Sequence, residues 1–166
     1  MVNIRLKSDI LLKGDAWVNA IESLSDIFKE KTNYSIFLLS TVIGILYDKT
    51  LEELPYSDNL HSTPSVPRNV FNISSDVFDY LFQTAILTTK NFDYNEEERL
   101  KFAFDEKCFD FNRLQFLISF ANFGVTKLLQ LVGNDNLETM ENIKNFLTST
   151  MEGTNWDIDE LIIDEL

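Results

Sequence analysis

The sequence of 166 residues contains only one cysteine, Cys108, and one histidine, His61. One cysteine excludes an internal disulfide, and one histidine excludes a multi-histidine or mixed Cys/His zinc site. Glycine and proline are also scarce, at five and three residues, and no glycine-rich phosphate loop, dinucleotide fingerprint or His-Glu-x-x-His motif is present. These absences exclude the familiar zinc, redox and nucleotide sites, and we expect no metal and no cofactor.

The scarcity of histidine also bears on catalysis. A cysteine or serine nucleophile generally needs a neighbouring base, usually histidine, and His61 lies in a stretch without apolar periodicity. A Cys108–His61 pair is the alternative, but Cys108 lies in a phenylalanine-rich stretch, where a small buried thiol is the commoner arrangement. We therefore predict a protein that is not an enzyme and has no catalytic residue.

Long apolar segments are missing as well. The most apolar run, residues 36–47, is too short to cross a bilayer, and the first nine residues lack the apolar centre of a signal peptide. We therefore expect a cytoplasmic protein that makes no membrane contact.

Positive charge is in short supply. Fourteen lysine and arginine residues stand against twenty-seven acidic residues, which gives a net charge of −13. A surface with this balance repels phosphate groups and favours basic or apolar partners, so we expect no direct binding to nucleic acid. The excess is uneven, because residues 151–166 contain six acidic residues and no basic one.

Apolar side chains in helical patterns, by contrast, are abundant. Hydrophobic residues make up 45% of the chain and include fourteen phenylalanines, which suits a single bulky core. We predict a mainly α protein: a compact bundle of about five to six helices over residues 1–153, followed by an acidic-hydrophobic tail over residues 154–166. Residues 2–6 alternate apolar and polar side chains, so they form either one short N-terminal strand or hairpin, or the start of a helix.

Two helices are predicted in the first third of the chain. In the first, apolar residues recur every three or four positions after Asp15, a suitable N-cap, and Asn33 can end the helix in a left-handed conformation. The second, over residues 35–49, is apolar nearly all round, which is typical of a helix at the centre of a bundle. Gly44 in its middle lowers the helix propensity by about 1 kcal/mol, so we expect another helix to pack closely there.

Residues 55–75 differ in composition, with three prolines, several serines and asparagines, and little apolar periodicity. This composition predicts a long surface connection, of a length that is often functional. His61 and Arg68 lie in it. We interpret His61 as an exposed loop residue, with a pH switch or a catalytic base as the alternative.

A further helix is predicted over residues 76–89, with Ser75 or Asp76 as its cap. Its apolar stripe contains Val77, Tyr80, Leu81, Thr84 and Leu87 or Thr88. Asn95 and Glu98 then have the spacing of a capping box, and three consecutive glutamates place negative charge at the positive end of the helix dipole. Because consecutive helical residues point about 100° apart, we do not expect the three glutamates to converge on a metal ion.

Two more helices are predicted before the tail. The first covers residues 110–133 and ends at Gly133, and its extra phenylalanines indicate contact on more than one side. The second covers residues 136–152. Its predicted inward residues are Leu137, Met140, Ile143 or Lys144, Phe146 or Leu147, and Met151.

The tail would place Ile158, Leu161, Ile162 and Leu166 on one helical face. One interpretation is a last helix packed on its own bundle. The other is a segment that orders in the basic-rimmed groove of a partner, or that exchanges within a homodimer. The predicted partner-binding residues are Trp156, Asp157, Ile158, Asp159, Glu160, Leu161, Ile162, Ile163, Asp164 and Leu166.

Two stretches resemble a known family. Residues 37–55 contain Ile43-Gly44 and end at Pro55, and residues 120–124 read Phe-Ala-Asn-Phe-Gly. In these features the chain resembles small accessory proteins associated with DNA phosphorothioation, the Dnd-type sulfur-modification and restriction systems of bacteria. The resemblance implies a compact helical domain and a defence-system context, and it implies no catalytic residue.

These observations lead to one functional hypothesis and one alternative. The chain is predicted to be a non-enzymatic accessory or regulatory protein of a bacterial DNA-modification or anti-phage defence system, which acts by binding a larger protein. The alternative is an acidic DNA mimic that inhibits a nuclease or restriction enzyme, with carboxylates in place of phosphates.

Overall fold

The computed structural model describes residues 6–57, 63–105 and 111–151. Within these ranges the chain forms seven helices and two short strands. The helices are α1 (Asp15–Leu24), α2 (Thr32–Tyr47), α3 (Arg68–Ile73), α4 (Ser75–Thr88), α5 (Glu96–Phe104), α6 (Arg113–Gln130) and α7 (Asn136–Met151). The strands, β1 (Ile10–Leu11) and β2 (Ser65–Val66), pair antiparallel. The predicted mainly α fold is confirmed, and none of the described helices is long and apolar enough to span a membrane.

The centre of the fold is the crossing of α2 and α6. A Cβ atom added to Gly44 would lie 2.1 Å from the carbonyl oxygen of Phe120, and one added to Gly124 would lie 1.8 Å from the carbonyl oxygen of Ser40. The two helix backbones are therefore in direct contact, and no side chain fits between them. The close packing predicted at Gly44 is confirmed, and Gly124 is its counterpart on α6.

Phenylalanine rings build the core around this crossing. The ring of Phe37 on α2 lies 5.6 Å from that of Phe78 on α4, and Phe78 stacks on Phe71 of α3 at 4.2 Å between centroids. On α6, Phe116 and Phe120 pack edge to face at 5.1 Å. All five rings are buried. Because α6 packs against α1, α2 and α4, its predicted contact on more than one side is confirmed.

The predicted capping box at the start of α5 is also confirmed. Asn95 Oδ1 accepts a hydrogen bond from the backbone N–H of Glu98 (2.9 Å), and Glu98 Oε2 accepts one from the backbone N–H of Asn95 (3.0 Å). The guanidinium of Arg99 then donates to three carbonyl oxygens between Ile86 and Tyr94. These bonds fix the start of α5 against the end of α4.

The predicted extent of the first helix is wrong. α1 ends at Leu24, whose carbonyl oxygen accepts from the backbone N–H groups of both Ile27 (3.1 Å) and Phe28 (3.0 Å). This tighter turn stops the helix even though the apolar spacing continues beyond it. Asn33 does not end a helix; it lies in the first turn of α2, and its Nδ2 donates to the carbonyl oxygen of Ser65 (2.8 Å).

The connection predicted over residues 55–75 differs from the structure. Residues 2–5 of the predicted N-terminal strand lie outside the described residues, and the first strand among the described residues is β1, later in the chain. Its partner β2 and the helix α3 lie within the predicted connection, where Val66 and Phe71 are fully buried. Elements of two and six residues are too short to produce a recognisable apolar periodicity. The proline-rich composition of the stretch therefore predicted a connection without regular structure.

α7 buries a different face from the predicted one. Ile143 and Phe146 are buried as predicted, but Leu137 and Met140 are 67% and 52% exposed. Thr139 takes the inward position in the first turns, because its hydroxyl is hydrogen-bonded to backbone groups at 2.9 and 2.8 Å. The hydrogen-bonded Thr139, and not Leu137 and Met140, therefore determines which face of α7 is buried in its first turns.

Candidate protein-docking surface

α4 has two apolar faces, of which the inner one holds it in the core. Phe78, Phe82, Ala85 and Ile86 on this face are buried. The guanidinium carbon of Arg113 lies 4.9 Å from the centroid of the Phe82 ring and covers its face. The inner face therefore anchors α4 in the core.

The outer face of α4 carries a row of exposed side chains. Val77, Tyr80 and Leu87 are exposed by 42%, 55% and 38%, and Thr84 is exposed between them. Their spacing of four and three residues aligns side chains along one side of a helix. We call these four residues the α4 stripe.

The α4 stripe is large enough to contribute to binding. Fully burying a Val, Leu or Ile side chain gains about 1.5–3 kcal/mol. Because roughly half of each of the three larger members, Val77, Tyr80 and Leu87, is exposed, covering the stripe would gain on the order of 2–4 kcal/mol before the cost of association. Single exposed apolar residues are common on monomers, whereas a contiguous row marks an interaction site.

The described part of the chain that presents this stripe is acidic overall. The described ranges contain eighteen acidic and twelve basic residues, a balance of −6. Asp76 is exposed beside Val77 in the first turn of α4. A partner that covers the stripe is therefore best matched by an apolar centre with basic residues at its edge.

The partner-binding residues predicted in the tail lie outside the described residues, and their role stays a prediction. They are Trp156, Asp157, Ile158, Asp159, Glu160, Leu161, Ile162, Ile163, Asp164 and Leu166. The division of the chain at residue 153 is likewise a prediction. His61 and Cys108 also lie outside the described ranges.

Arg68, which was singled out in the sequence, has a structural role. Its Nη1 donates to the carbonyl oxygen of Lys7 (2.8 Å), and its backbone N–H donates to the carboxylate of Asp9 (2.9 Å). These bonds tie the start of α3 to the segment before β1. Among the residues that the structure describes, no group of three or more His, Cys, Asp or Glu side chains could hold a metal ion.

The sequence predicted the residues of the α4 stripe but not their position. Val77, Tyr80, Thr84 and Leu87 belong to the predicted apolar stripe of this helix, and such a stripe normally faces the core. Of that stripe, Leu81 does pack against the core. A second apolar row, which includes Phe78, runs along the same helix and occupies the core instead. Two apolar rows on one helix are the sequence signal for its two apolar faces.

No protein-family model matches the chain, and neither curated proteins nor solved structures give a match.

The residues that carry the family resemblance have identifiable roles in the fold. Gly44 and Gly124 form the crossing of α2 and α6. On the same helix as Gly124, Asn122 Oδ1 accepts from Trp17 Nε1 (3.0 Å), and Asn122 Nδ2 donates to the carbonyl oxygens of Leu51 (3.1 Å) and Glu52 (3.2 Å). These roles concern packing, and they account for the presence of these residue types without reference to a partner.

Proposed function

We propose that this chain is a non-enzymatic accessory protein that binds a larger protein through the α4 stripe. The observation that carries the proposal is the second apolar face of α4, since the inner face already anchors the helix. Covering the outer face is the remaining way to remove this row of side chains from water.

The chemistry of the surface defines the partner. The partner presents an apolar groove or helix face with lysine or arginine at its edge, because this chain is acidic both in its described part and in its tail. The tail over residues 154–166 supplies a second contact with the same combination of apolar and acidic side chains. Two linked contacts raise the affinity beyond that of either one.

The biological setting is part of the same proposal. The resemblance to accessory proteins of DNA phosphorothioation systems supports a role in a cytoplasmic, bacterial DNA-modification or anti-phage defence complex. The alternative, a DNA mimic, predicts that duplex DNA competes with this protein for its target, most strongly at low salt.

The test is site-specific photo-crosslinking in the native cell, with the crosslinking residue placed at Tyr80. A second chain carries it at Met140, whose exposure of 52% matches the 55% of Tyr80. We expect one discrete adduct with a larger protein from position 80 and none from position 140. The double variant Val77→Glu/Thr84→Glu should lose the complex while keeping its unfolding midpoint, because exposed substitutions change stability by only about 0.5 kcal/mol.

The matched control is Leu137→Glu/Met140→Glu, which adds the same two charges to exposed positions of α7. This control should retain the complex. Equal retention by both double variants would contradict docking through α4. Loss of the complex only when residues 154–166 are deleted would assign binding to the tail alone.

A further inference from the structure

A cleft of about 440 Å³ lies between β1, the segment 51–57 and α6. This volume is within the range of protein binding sites. Its lining residues are Leu11, Leu12, Lys13, Trp17, Glu52, Glu53, Leu54, Tyr56, Gln115, Ile118 and Asn122. The cleft shares no residue with the α4 stripe, so it is a separate candidate.

The wall formed by segment 51–57 is held in place at both ends. At one end, the backbone N–H of Leu51 donates to the carbonyl oxygen of Ser119 on α6 (2.9 Å). At the other end, the carboxylate of Asp15 accepts from the backbone N–H (2.9 Å) and the hydroxyl (2.6 Å) of Ser57. The backbone N–H of Asp15 also donates to the carbonyl oxygen of Pro55 (2.9 Å). The cleft is therefore preformed, which lowers the entropic cost of binding.

Among the described residues, the strand β1 pairs with β2 alone, so its other edge is open, and Leu11 lines the cleft. Its register places Ile10 opposite Val66, and the N–H of Leu12 donates to the carbonyl oxygen of Pro64 (2.8 Å). In an antiparallel pair, neighbouring residues alternate between bonding the partner strand and pointing away from it. The backbone N–H and C=O of Leu11 therefore point away from β2, and its side chain is 56% exposed.

The rim of the cleft favours a cation. Glu52 and Glu53 are both exposed, and no side chain in the described ranges forms an ion pair or hydrogen bond with either carboxylate. Lys13 is the single basic residue of the lining. Tyr56 is 45% exposed and offers an aromatic face, on which a guanidinium group stacks well.

We propose that this cleft binds an extended peptide segment of another protein, in which arginine alternates with apolar residues. The peptide backbone pairs with Leu11 at the open edge of β1. Alternate side chains of an extended peptide point in opposite directions, so the apolar ones contact Leu11 and Leu54 while arginine meets Glu52, Glu53 and Tyr56. The site adds a second binding activity to the proposed docking through α4.

The probe is a fluorescein-labelled peptide of sequence Leu-Arg-Leu-Arg-Leu-Arg, whose binding is measured by fluorescence anisotropy with the full chain. A matched peptide has glutamate in place of arginine, and a third is methylated at the leucine nitrogens to remove backbone donors. We expect the arginine peptide to bind with a Kd below about 1 mM. The methylated peptide should bind about fivefold more weakly, and the glutamate peptide should not bind.

The deciding variant is Glu52→Gln/Glu53→Gln, for which we expect a Kd about tenfold higher, because two carboxylates that face the arginine are lost. The control, Glu96→Gln/Glu97→Gln, removes the same charge from an adjacent pair on α5 and should change the Kd less than about twofold. This result would exclude attraction of the peptide to the net charge of the chain alone. Equal weakening by both variants, indifference to methylation, or no binding by the wild-type chain would overturn the proposal. The Val77→Glu/Thr84→Glu variant should bind the peptide normally, so failure at one site is distinguishable from failure at the other.

Discussion

Substituting Gly124→Ala tests the central packing contact of the fold with the smallest change in atoms. The added Cβ would lie 1.8 Å from the carbonyl oxygen of Ser40 and 2.6 Å from its carbonyl carbon. Both are backbone atoms of α2, so they cannot rotate aside as a side chain could. α2 and α6 must separate, and the core on either side of the crossing must loosen.

Two opposing effects determine how much Gly124→Ala changes the free energy of unfolding. Alanine has a helix propensity about 1 kcal/mol better than that of glycine, which stabilises α6. Overpacking a dense core costs about 1–3 kcal/mol and occasionally more, and contact with a backbone atom places Gly124→Ala at the upper end. We therefore expect a net loss of about 2 kcal/mol, which lowers the Tm of a domain of this size by about 4–8 °C.

Thermal and urea unfolding followed by circular dichroism would measure this loss. Gly133→Ala is the matched control, because its added Cβ would lie 2.5 Å from Cγ of Glu138, a flexible side chain that can turn away. The control should stay within about 1 kcal/mol of the wild type. If Gly124→Ala melts at or above the wild-type temperature, the backbone contact between α2 and α6 is not as close as described.

Two further changes test contacts that position the cleft and α5. Asn122→Ala leaves the indole N–H of Trp17 and two carbonyl oxygens without this partner, and should lower the free energy of unfolding by about 2–3 kcal/mol. An unchanged urea midpoint would show that other groups form hydrogen bonds with these three atoms. Asn95→Ala removes the α5 N-cap and should lower the free energy of unfolding by about 1 kcal/mol. Its control, Glu97→Ala in the same turn, should lower it by about 0.5 kcal/mol or less. Equal losses from both variants would argue against the capping box.

The sequence predicted the parts of the fold that depend on local rules. The capping box depends on residues three positions apart, so Asn95 and Glu98 are recognisable without tertiary information. Gly44 was informative because an apolar helix tolerates a glycine best where another backbone approaches. Its partner Gly124 could not be assigned in advance, since eighty residues separate the two positions and only the assembled fold brings them together.

The sequence predicted less where several choices had similar local energies. On α4, two apolar rows compete for the core, and the phenylalanine-rich row occupies it, which turns Val77 and Tyr80 outward. On α7, the buried hydroxyl of Thr139 decides the orientation, and a binary apolar pattern does not include such a hydrogen bond. The cleft combines β1, segment 51–57 and α6, so no single stretch of sequence indicates it.

The backbone contact at the α2–α6 crossing has an evolutionary consequence. Any mutation at Gly44 or Gly124 introduces at least one carbon into occupied space, whereas the surrounding apolar positions accept exchanges of similar volume. Divergent homologues should therefore retain this pair of glycines after most of the hydrophobic residues have drifted. The pair, at its spacing along the chain, would identify descent from a common ancestor when overall sequence identity no longer does.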